Sequence, residues 1–233
     1  MSLPRYAIYY APPPSSRLAR FGAGVLGYDC NDGADVPHVK VGGIDPAVLA
    51  LMTVEPRRYG FHATLKAPFH LGDASEAALM DACDAFAARY APVPVGQLMV
   101  ATIASFVALV PAEPNQRISQ FAATCVEAFD RFGAPMRPAD RERRLASGLT
   151  PRQVGLMDRW GYPYVFEQFR FHMTLTGSLS HDQITWITPL LSRASQGLAS
   201  DIVELDAISV MRQDDHDGRF RVVARCRLKG QRS

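Results

Sequence analysis

Phe61-His62-Ala63-Thr64-Leu65 recurs as Phe171-His172-Met173-Thr174-Leu175, 110 residues further along the chain. Six His, nine Thr and twenty Leu in 233 residues would supply roughly 0.02 copies of His-x-Thr-Leu by chance. Two copies, each preceded by Phe, are therefore not an accident of composition. Around the first, Phe61, Ala63, Leu65 and Ala67 alternate with His62, Thr64 and Lys66. Around the second, Phe169, Phe171, Met173 and Leu175 alternate with Arg170, His172, Thr174 and Thr176. Such alternation predicts two strands, over 61–67 and 169–177, each with one buried and one polar face. The i, i+2 spacing puts His and Thr side by side on the polar face, a floor suited to an anionic group.

Outward from these strands, Tyr6 to Tyr10 reads as a first strand stopped by Pro12-Pro13-Pro14. Ser15 or Ser16 caps a helix to about Leu26, ended by Gly27. Asp45-Pro46 opens a short helix. Glu76 to Tyr90 is strongly helical, Val95 to Val110 reads as a hairpin broken near Ala104-Ser105, and Pro114 to Phe132 is helical. Residues 133–165 differ from the rest and read as a helical insertion. Pro138 to Ala146 is a short basic helix, and Thr150-Pro151-Arg152-Gln153 has the capping-box pattern of a second helix ending at Gly161. Ser180 or Asp182 starts a helix that Pro189 is expected to interrupt or kink. Glu204 to Arg212 and Arg219 to Leu228 read as an antiparallel pair around the turn Asp214 to Gly218. The order predicts an α+β protein spanning residues 1–233. It has two pseudo-symmetric lobes, one centred on the 61–67 strand and one on the 169–177 strand, each with an antiparallel sheet and flanking helices beside a central cleft.

A content of 48% hydrophobic residues supports a sizeable core. A formal charge of +2 is too mild for a general nucleic-acid or membrane binder. No apolar run is long enough to span a bilayer, and Met1-Ser2-Leu3-Pro4-Arg5 lacks the pattern of a signal peptide. Cys30, Cys83, Cys125 and Cys226 are scattered, form no Cys-x-x-Cys pair and give no zinc spacing. They read as reduced, buried thiols of a cytoplasmic protein.

If the two polar strand faces meet across the cleft, two imidazoles flank one space. One can take a proton from an attacking oxygen while the other protonates the departing one. Thr64 and Thr174 can donate to non-bridging phosphoryl oxygens, and Lys66 could add positive charge. This chemistry needs no metal or other cofactor, and no carboxylate cluster in the sequence would hold one. A strained cyclic phosphodiester fits, because ring opening needs a single attack and one protonated leaving group.

Paired His-x-Thr motifs in apolar-flanked strands, half a chain apart, resemble the two-histidine (2H) phosphoesterase superfamily. The resemblance implies a bilobal α+β fold with pseudo-two-fold symmetry and activity on cyclic phosphodiesters. It implies His62 and His172 as the acid–base pair and Thr64 and Thr174 as phosphate ligands. Pro56-Arg-Arg-Tyr-Gly-Phe-His-Ala-Thr-Leu-Lys-Ala-Pro-Phe69 and Phe169-Arg-Phe-His-Met-Thr-Leu-Thr-Gly177 are similar to one branch, associated with bacterial phosphonate-utilisation operons. For that branch the implied substrate is a ribose cyclic phosphate such as 5-phosphoribosyl 1,2-cyclic phosphate. The alternatives are an RNA 2′,3′-cyclic phosphodiesterase or 2′–5′ ligase-like enzyme, and a phosphometabolite-binding protein without turnover.

The remaining candidates carry two readings each. Lys66 is either a phosphate contact or an edge charge. Arg170 shares the parity of His172. Tyr10 is either a substrate contact or, with Tyr6 and Ile8, part of a core face. Arg137, Arg141, Arg143 and Arg144 form either a lid over a second phosphate or a solvated helix face. No membrane partner is expected, and the sequence leaves the oligomeric state open.

Overall fold

A computed structural model describes residues 3–198 and 200–231. Met1 and Ser2, part of the stretch read for a signal peptide, lie outside them. The first strand, β1 (Arg5–Tyr10), leads through the proline run into α1 (Arg17–Leu26). Ser16 caps α1 by accepting from the Ala19 amide, and Gly27 ends it at φ 73. A loop carrying two short strands, β2 (Tyr28–Asp29) and β3 (Ala34–Asp35), precedes α2 (Pro46–Met52) and the one-turn α3 (Val54–Arg57). Then come β4 (Ala63–Phe69), α4 (Glu76–Arg89), β5 (Val93–Gly96) and the hairpin β6 (Leu98–Ile103) and β7 (Phe106–Pro111). The 133–165 segment follows α5 (Gln116–Phe129) and carries α6 (Pro138–Leu145) and α7 (Pro151–Trp160). The chain closes with β8 (Met173–Thr174), α8 (His181–Ala194), β9 (Val203–Leu205), β10 (Ala207–Gln213) and β11 (Arg221–Arg227).

The expected antiparallel α+β class holds. The sheets of the two halves are joined edge to edge in one seven-stranded sheet, ordered β11-β10-β1-β4-β8-β7-β6. The joint is the pairing of β4 with β8, at Ala63 and Met173. One face of the sheet is core. Tyr6, Ile8 and Tyr10 of β1, Ala63 and Leu65 of β4, Met173 and Leu109 pack there against Leu79 and Phe86 of α4, Phe121 and Cys125 of α5, and Ile187 and Leu191 of α8. The opposite face carries Ala7, Tyr9 and Met211 beneath Tyr28, Cys30 and Phe220. All four cysteines are buried free thiols, as read from the sequence.

Three elements depart from expectation. The strand expected over 169–177 is paired only at Met173 and Thr174, because the chain before it parts from β4. The Glu204 end of the last pair is a separate strand, β9, paired with β5. Pro189 does not interrupt α8. It is exposed, so the carbonyl it leaves unbonded faces water, while Ile187 and Leu191 hold the helix from the buried side.

Candidate active site

Ala63 and Met173 are direct cross-strand partners. Residues one step to either side of such a pair point to the opposite face from it. Ala63 and Met173 are in the core, so His62, Thr64, His172 and Thr174 share the other face. Ala63–Met173 is the pair at which β4 and β8 join, with one His-Thr unit on each strand around it. A two-fold axis through the Ala63–Met173 pair would exchange the two His-Thr units. The two motifs thus come to one place in the sheet because their strands are neighbours.

Each imidazole is oriented by its own strand entry. His62 Nδ1 lies 2.9 Å from the Gly60 carbonyl, and His172 Nδ1 lies 2.8 Å from the Arg170 carbonyl. A carbonyl can only accept, so both Nδ1 atoms carry the proton and both Nε2 atoms are left for chemistry. His62 Nε2 is 3.3 Å from Thr64 Oγ1, which donates to it. The Tyr9 ring stacks on the His62 ring with centroids 3.7 Å apart, and Phe106 lies 5.6 Å from the His172 ring. Thr174 makes no side-chain hydrogen bond among the described residues, so its hydroxyl is available to a ligand.

Burial lowers both imidazole pKa values. His62 falls to about 4, first through burial and then through the charge of His172, partly offset by the Gly60 carbonyl. Burial also lowers His172, against the Arg170 carbonyl. The charge of His172 also bears on His62, so a proton on His172 disfavours one on His62.

A cavity of about 330 Å³ opens where β4 and the approach to β8 separate. Thr64 and Leu65 line one side and Phe169, Arg170 and His172 the other. Phe106, Tyr162, Tyr164 and Phe166 make it strongly aromatic. The two non-glycine residues with positive φ among those described, Ala104 at 49° and Phe166 at 53°, both line it. Such strained backbone gathers at sites where shape is held by the surroundings.

Other candidates fall elsewhere. Tyr10 is 1% exposed, in the core against Phe171 with ring centroids 6.4 Å apart; its parity follows Ile8, not Tyr9. Lys66 does not share the face of His62 and Thr64. The β1–β4 ladder pairs Tyr9 with Thr64 and Ile8 with Lys66, so a bulge breaks the alternation between them. Lys66 is instead buried and paired with Asp130 at 3.4 Å. Thr176 is spent on the backbone, accepting from Val107 N and donating to Gly177 O. Arg170 is exposed at the cavity mouth. Tyr9 was not singled out in the sequence; its role depends on β1 pairing with β4, which no local pattern announces.

The basic helix is divided. Arg137 and Arg143 both pair with Asp140 at 2.7 Å, and Arg141 pairs bidentately with Asp158. Arg144 turns the other way, donating to the Gly161 carbonyl and lying 5.8 Å from the Tyr162 ring. Among the described residues no group of three or more His, Cys, Asp or Glu could hold a metal ion. No helix among them is long and apolar enough to cross a membrane.

The chain is a member of the family described as "Protein of unknown function (DUF1045)", whose profile matches residues 64–221. It is 36% identical over 218 residues to the ribose 1,5-bisphosphate phosphokinase PhnN of Janthinobacterium sp. (strain Marseille), covering 91% of this chain and 48% of that protein. It is 38% identical over 185 residues to the protein of the same name from Laribacter hongkongensis (strain HLHK9), covering 78% of this chain and 42% of that protein. The chain thus spans about half the length of the curated relatives it matches. Among solved structures, it is similar at 13% identity to one described as a phosphoesterase, with a TM-score of 0.41, covering 99% of this chain and 100% of that one. It is similar, also at 13% identity, to Escherichia coli LigT complexed with 3′-AMP, with a TM-score of 0.40, covering 98% and 99%. Likenesses this loose say nothing about the site.

Proposed function

We propose that this protein is a phosphoesterase that opens a small cyclic phosphodiester by two-histidine acid–base catalysis. One observation supports the reading most: two imidazoles at the joint of the sheet, each with Nδ1 held by a carbonyl, so that Nε2 is the atom that can exchange a proton, on His62 in reach of the Thr64 hydroxyl. His62, with the pKa near 4, is neutral and takes the proton of the attacking water. The water oxygen bonds to phosphorus as the bond to one sugar oxygen breaks. His172 enters protonated and gives its proton to that departing oxygen. Thr64 and Thr174 donate to the non-bridging oxygens. His62 then releases its proton and His172 regains one from solvent.

The relatives' name supports a substrate. A 5-phosphoribosyl 1,2-cyclic phosphate that loses its bond to the 2-oxygen becomes ribose 1,5-bisphosphate, the compound for which those phosphokinases are named. On this reading the 2-oxygen is the leaving group and receives the proton of His172, and the reaction feeds a kinase step in phosphonate metabolism. A second reading is favoured by the aromatic cavity, whose Phe106, Tyr162, Tyr164 and Phe166 suit a nucleobase; the substrate would then be a nucleoside 2′,3′-cyclic phosphate. Three of the four arginines of the basic helix segment are engaged by carboxylates, which speaks against a long RNA groove. A binder without turnover would not need two imidazoles each held with Nδ1 protonated and Nε2 as the exchanging atom.

Phosphorus NMR of the protein with 5-phosphoribosyl 1,2-cyclic phosphate and with 2′,3′-cyclic AMP tests the reading. Ring opening of the first, to the 1-phosphate, is expected. His62→Ala and His172→Ala should each lower kcat by about 10²- to 10⁴-fold while the circular dichroism spectrum is kept. Undiminished turnover in either variant rejects the assignment.

A further inference from the structure

β1 and β7 flank the joined strands β4 and β8 in the sheet order, and each sets one residue opposite a motif threonine. On β1 that residue is Tyr9, the cross-strand partner of Thr64. On β7 it is Ala108, the cross-strand partner of Thr174. Cross-strand partners point to the same face, so both positions lie on the face of the histidines. Both are buried, but they differ by an aromatic ring. The Tyr9 ring covers His62, with centroids 3.7 Å apart and planes 13° apart, which is contact distance over the whole imidazole face. His172 has no ring lying flat on it among the described residues. Phe106, two residues before Ala108 on β7, stands 5.6 Å away with its plane tilted by 49°.

Tyr9 is itself held from behind. The Phe220 ring lies 6.3 Å from its own and is fully buried. The Phe220 amide donates to the Arg58 carbonyl at 2.7 Å, and its carbonyl accepts from the Tyr28 hydroxyl at 3.0 Å. Tyr59 stacks on Phe220 with centroids 5.5 Å apart and comes within 6.5 Å of the His62 ring. The groups that face His62 are therefore Tyr9 from β1, Tyr59 from the turn before β4, Thr64 on β4 itself and the charge of His172. Burial holds the Tyr9 phenol un-ionised, so its ring acts on His62 by shape and by excluding water, not by charge. The Gly60 carbonyl holds the imidazole at one atom, Nδ1. A flat partner in contact fixes the plane of the ring as well, and with it the direction in which Nε2 points. Burial is also the first cause of the lowered His62 pKa.

We propose that Tyr9 is a positioning residue for His62, its ring fixing the imidazole plane and keeping water off one face, and that Ala108 in the corresponding place leaves His172 without that clamp. The inference rests on the two-histidine reading for its effect on rate, but not for its effect on the ring. It names what makes two otherwise similar His-Thr units unequal. The clamped imidazole stays neutral and serves as the base. The unclamped one lines the cavity, where it can regain a proton after each turnover and serve as the acid.

Two measurements test it. In the first, heteronuclear NMR of the imidazole nitrogens reads tautomer and pKa without substrate. Tyr9→Phe keeps the flat ring and should leave His62 as in wild type. Tyr9→Leu keeps apolar bulk but no flat face. In it the His62 pKa should rise from about 4 toward 6.5, the Nδ1-protonated form should no longer be exclusive, and His172 should move less. Tyr9→Met, whose flexible chain fills the space differently, makes the same test should the leucine variant not fold. In the second measurement, kcat and kcat/KM for 5-phosphoribosyl 1,2-cyclic phosphate are followed against pH. In Tyr9→Leu the acid limb should move up in pH with His62, and kcat should fall about 10- to 100-fold with KM little changed. Tyr9→Phe should match wild type in both. A folded Tyr9→Leu or Tyr9→Met with unaltered His62 pKa, tautomer and acid limb overturns the proposal. So does a Tyr9→Phe variant as impaired as Tyr9→Leu, since the hydroxyl and not the ring would then be at work. If wild type opens no cyclic ester yet Tyr9→Leu still shifts His62, the catalytic reading falls and the clamp stands.

Discussion

At the scale of single residues, a carbonyl acceptor and partial burial decide what each histidine can do. Their lowered pKa values predict an acid-shifted rate profile. His62 must be neutral to act as base, so activity is lost as pH falls through about 4. His172 must be protonated to act as acid, so activity is lost as pH rises through a pKa held below its usual 6.5 by burial. The profile of kcat/KM should therefore peak on the acidic side of 6.5, and a plateau reaching pH 8 would contradict the assignment. Lys66 gives the complementary prediction. Its pKa is lowered by burial against the pull of Asp130, so the buried ammonium carries a desolvation cost that an apolar chain of similar length would not, while Asp130 is partly exposed. Asp130 keeps Arg159 at 2.9 Å as a partner. Lys66→Met should leave kcat within about twofold and stability within about 1 kcal/mol, read by steady-state kinetics and urea unfolding. A large fall in kcat would return Lys66 to the phosphate.

At the scale of elements, the turn into β4 is the critical one. Gly60 sits at φ 71, and a methyl group there would meet Cys30 Cβ at 2.4 Å. Its carbonyl is also the one that holds His62 Nδ1. Gly60→Ala combines a left-handed residue, costing about 1–2 kcal/mol, with a steric clash, and it displaces the carbonyl that holds the His62 ring. The variant should lose at least that much stability and also lower kcat at temperatures where it remains folded. A variant that melts early but turns over normally when folded would show that the Gly60 carbonyl does not position the ring. The bulge in β4 and the short β8 are likewise features of elements. Alternation was legible in Ala63-Thr64-Leu65-Lys66, but an extra residue opposite Ile8 depends on how two strands distant in sequence twist together.

At the scale of the whole molecule, a single core runs under both halves, joining residues of β1, β4, β7, β8 and β10. The 133–165 segment is held differently. Its apolar contacts are a small satellite cluster of Val126, Leu156 and Val165, with Trp160, Tyr162 and Phe166 packed on it, and α6 has no fully buried residue. Local opening is easiest where apolar burial is least. Amide hydrogen exchange should therefore be faster in α6 and α7 than in β1, β4 and β10, measurable by mass spectrometry of peptic fragments. Equal protection throughout would show that the segment opens only with the sheet. Easy opening of this segment would give substrate a way to the cavity that Tyr162, Tyr164 and Phe166 cover.

From the sequence came the strand that carries Thr64, the antiparallel α+β class, most helix bounds and their caps, and the candidate acid–base pair; of the strand expected over 169–177 only Met173 and Thr174 are paired. Those follow from local rules: alternation, capping side chains, and glycine at helix ends. Tertiary structure alone decided that β4 and β8 are neighbours, that Tyr9 and not Tyr10 reaches the site, that Lys66 turns to Asp130, and that Arg144 parts company with Arg137, Arg141 and Arg143. Each of these rests on the register or approach of segments far apart in the chain, where the free energy of packing, and no local preference, selects the partner.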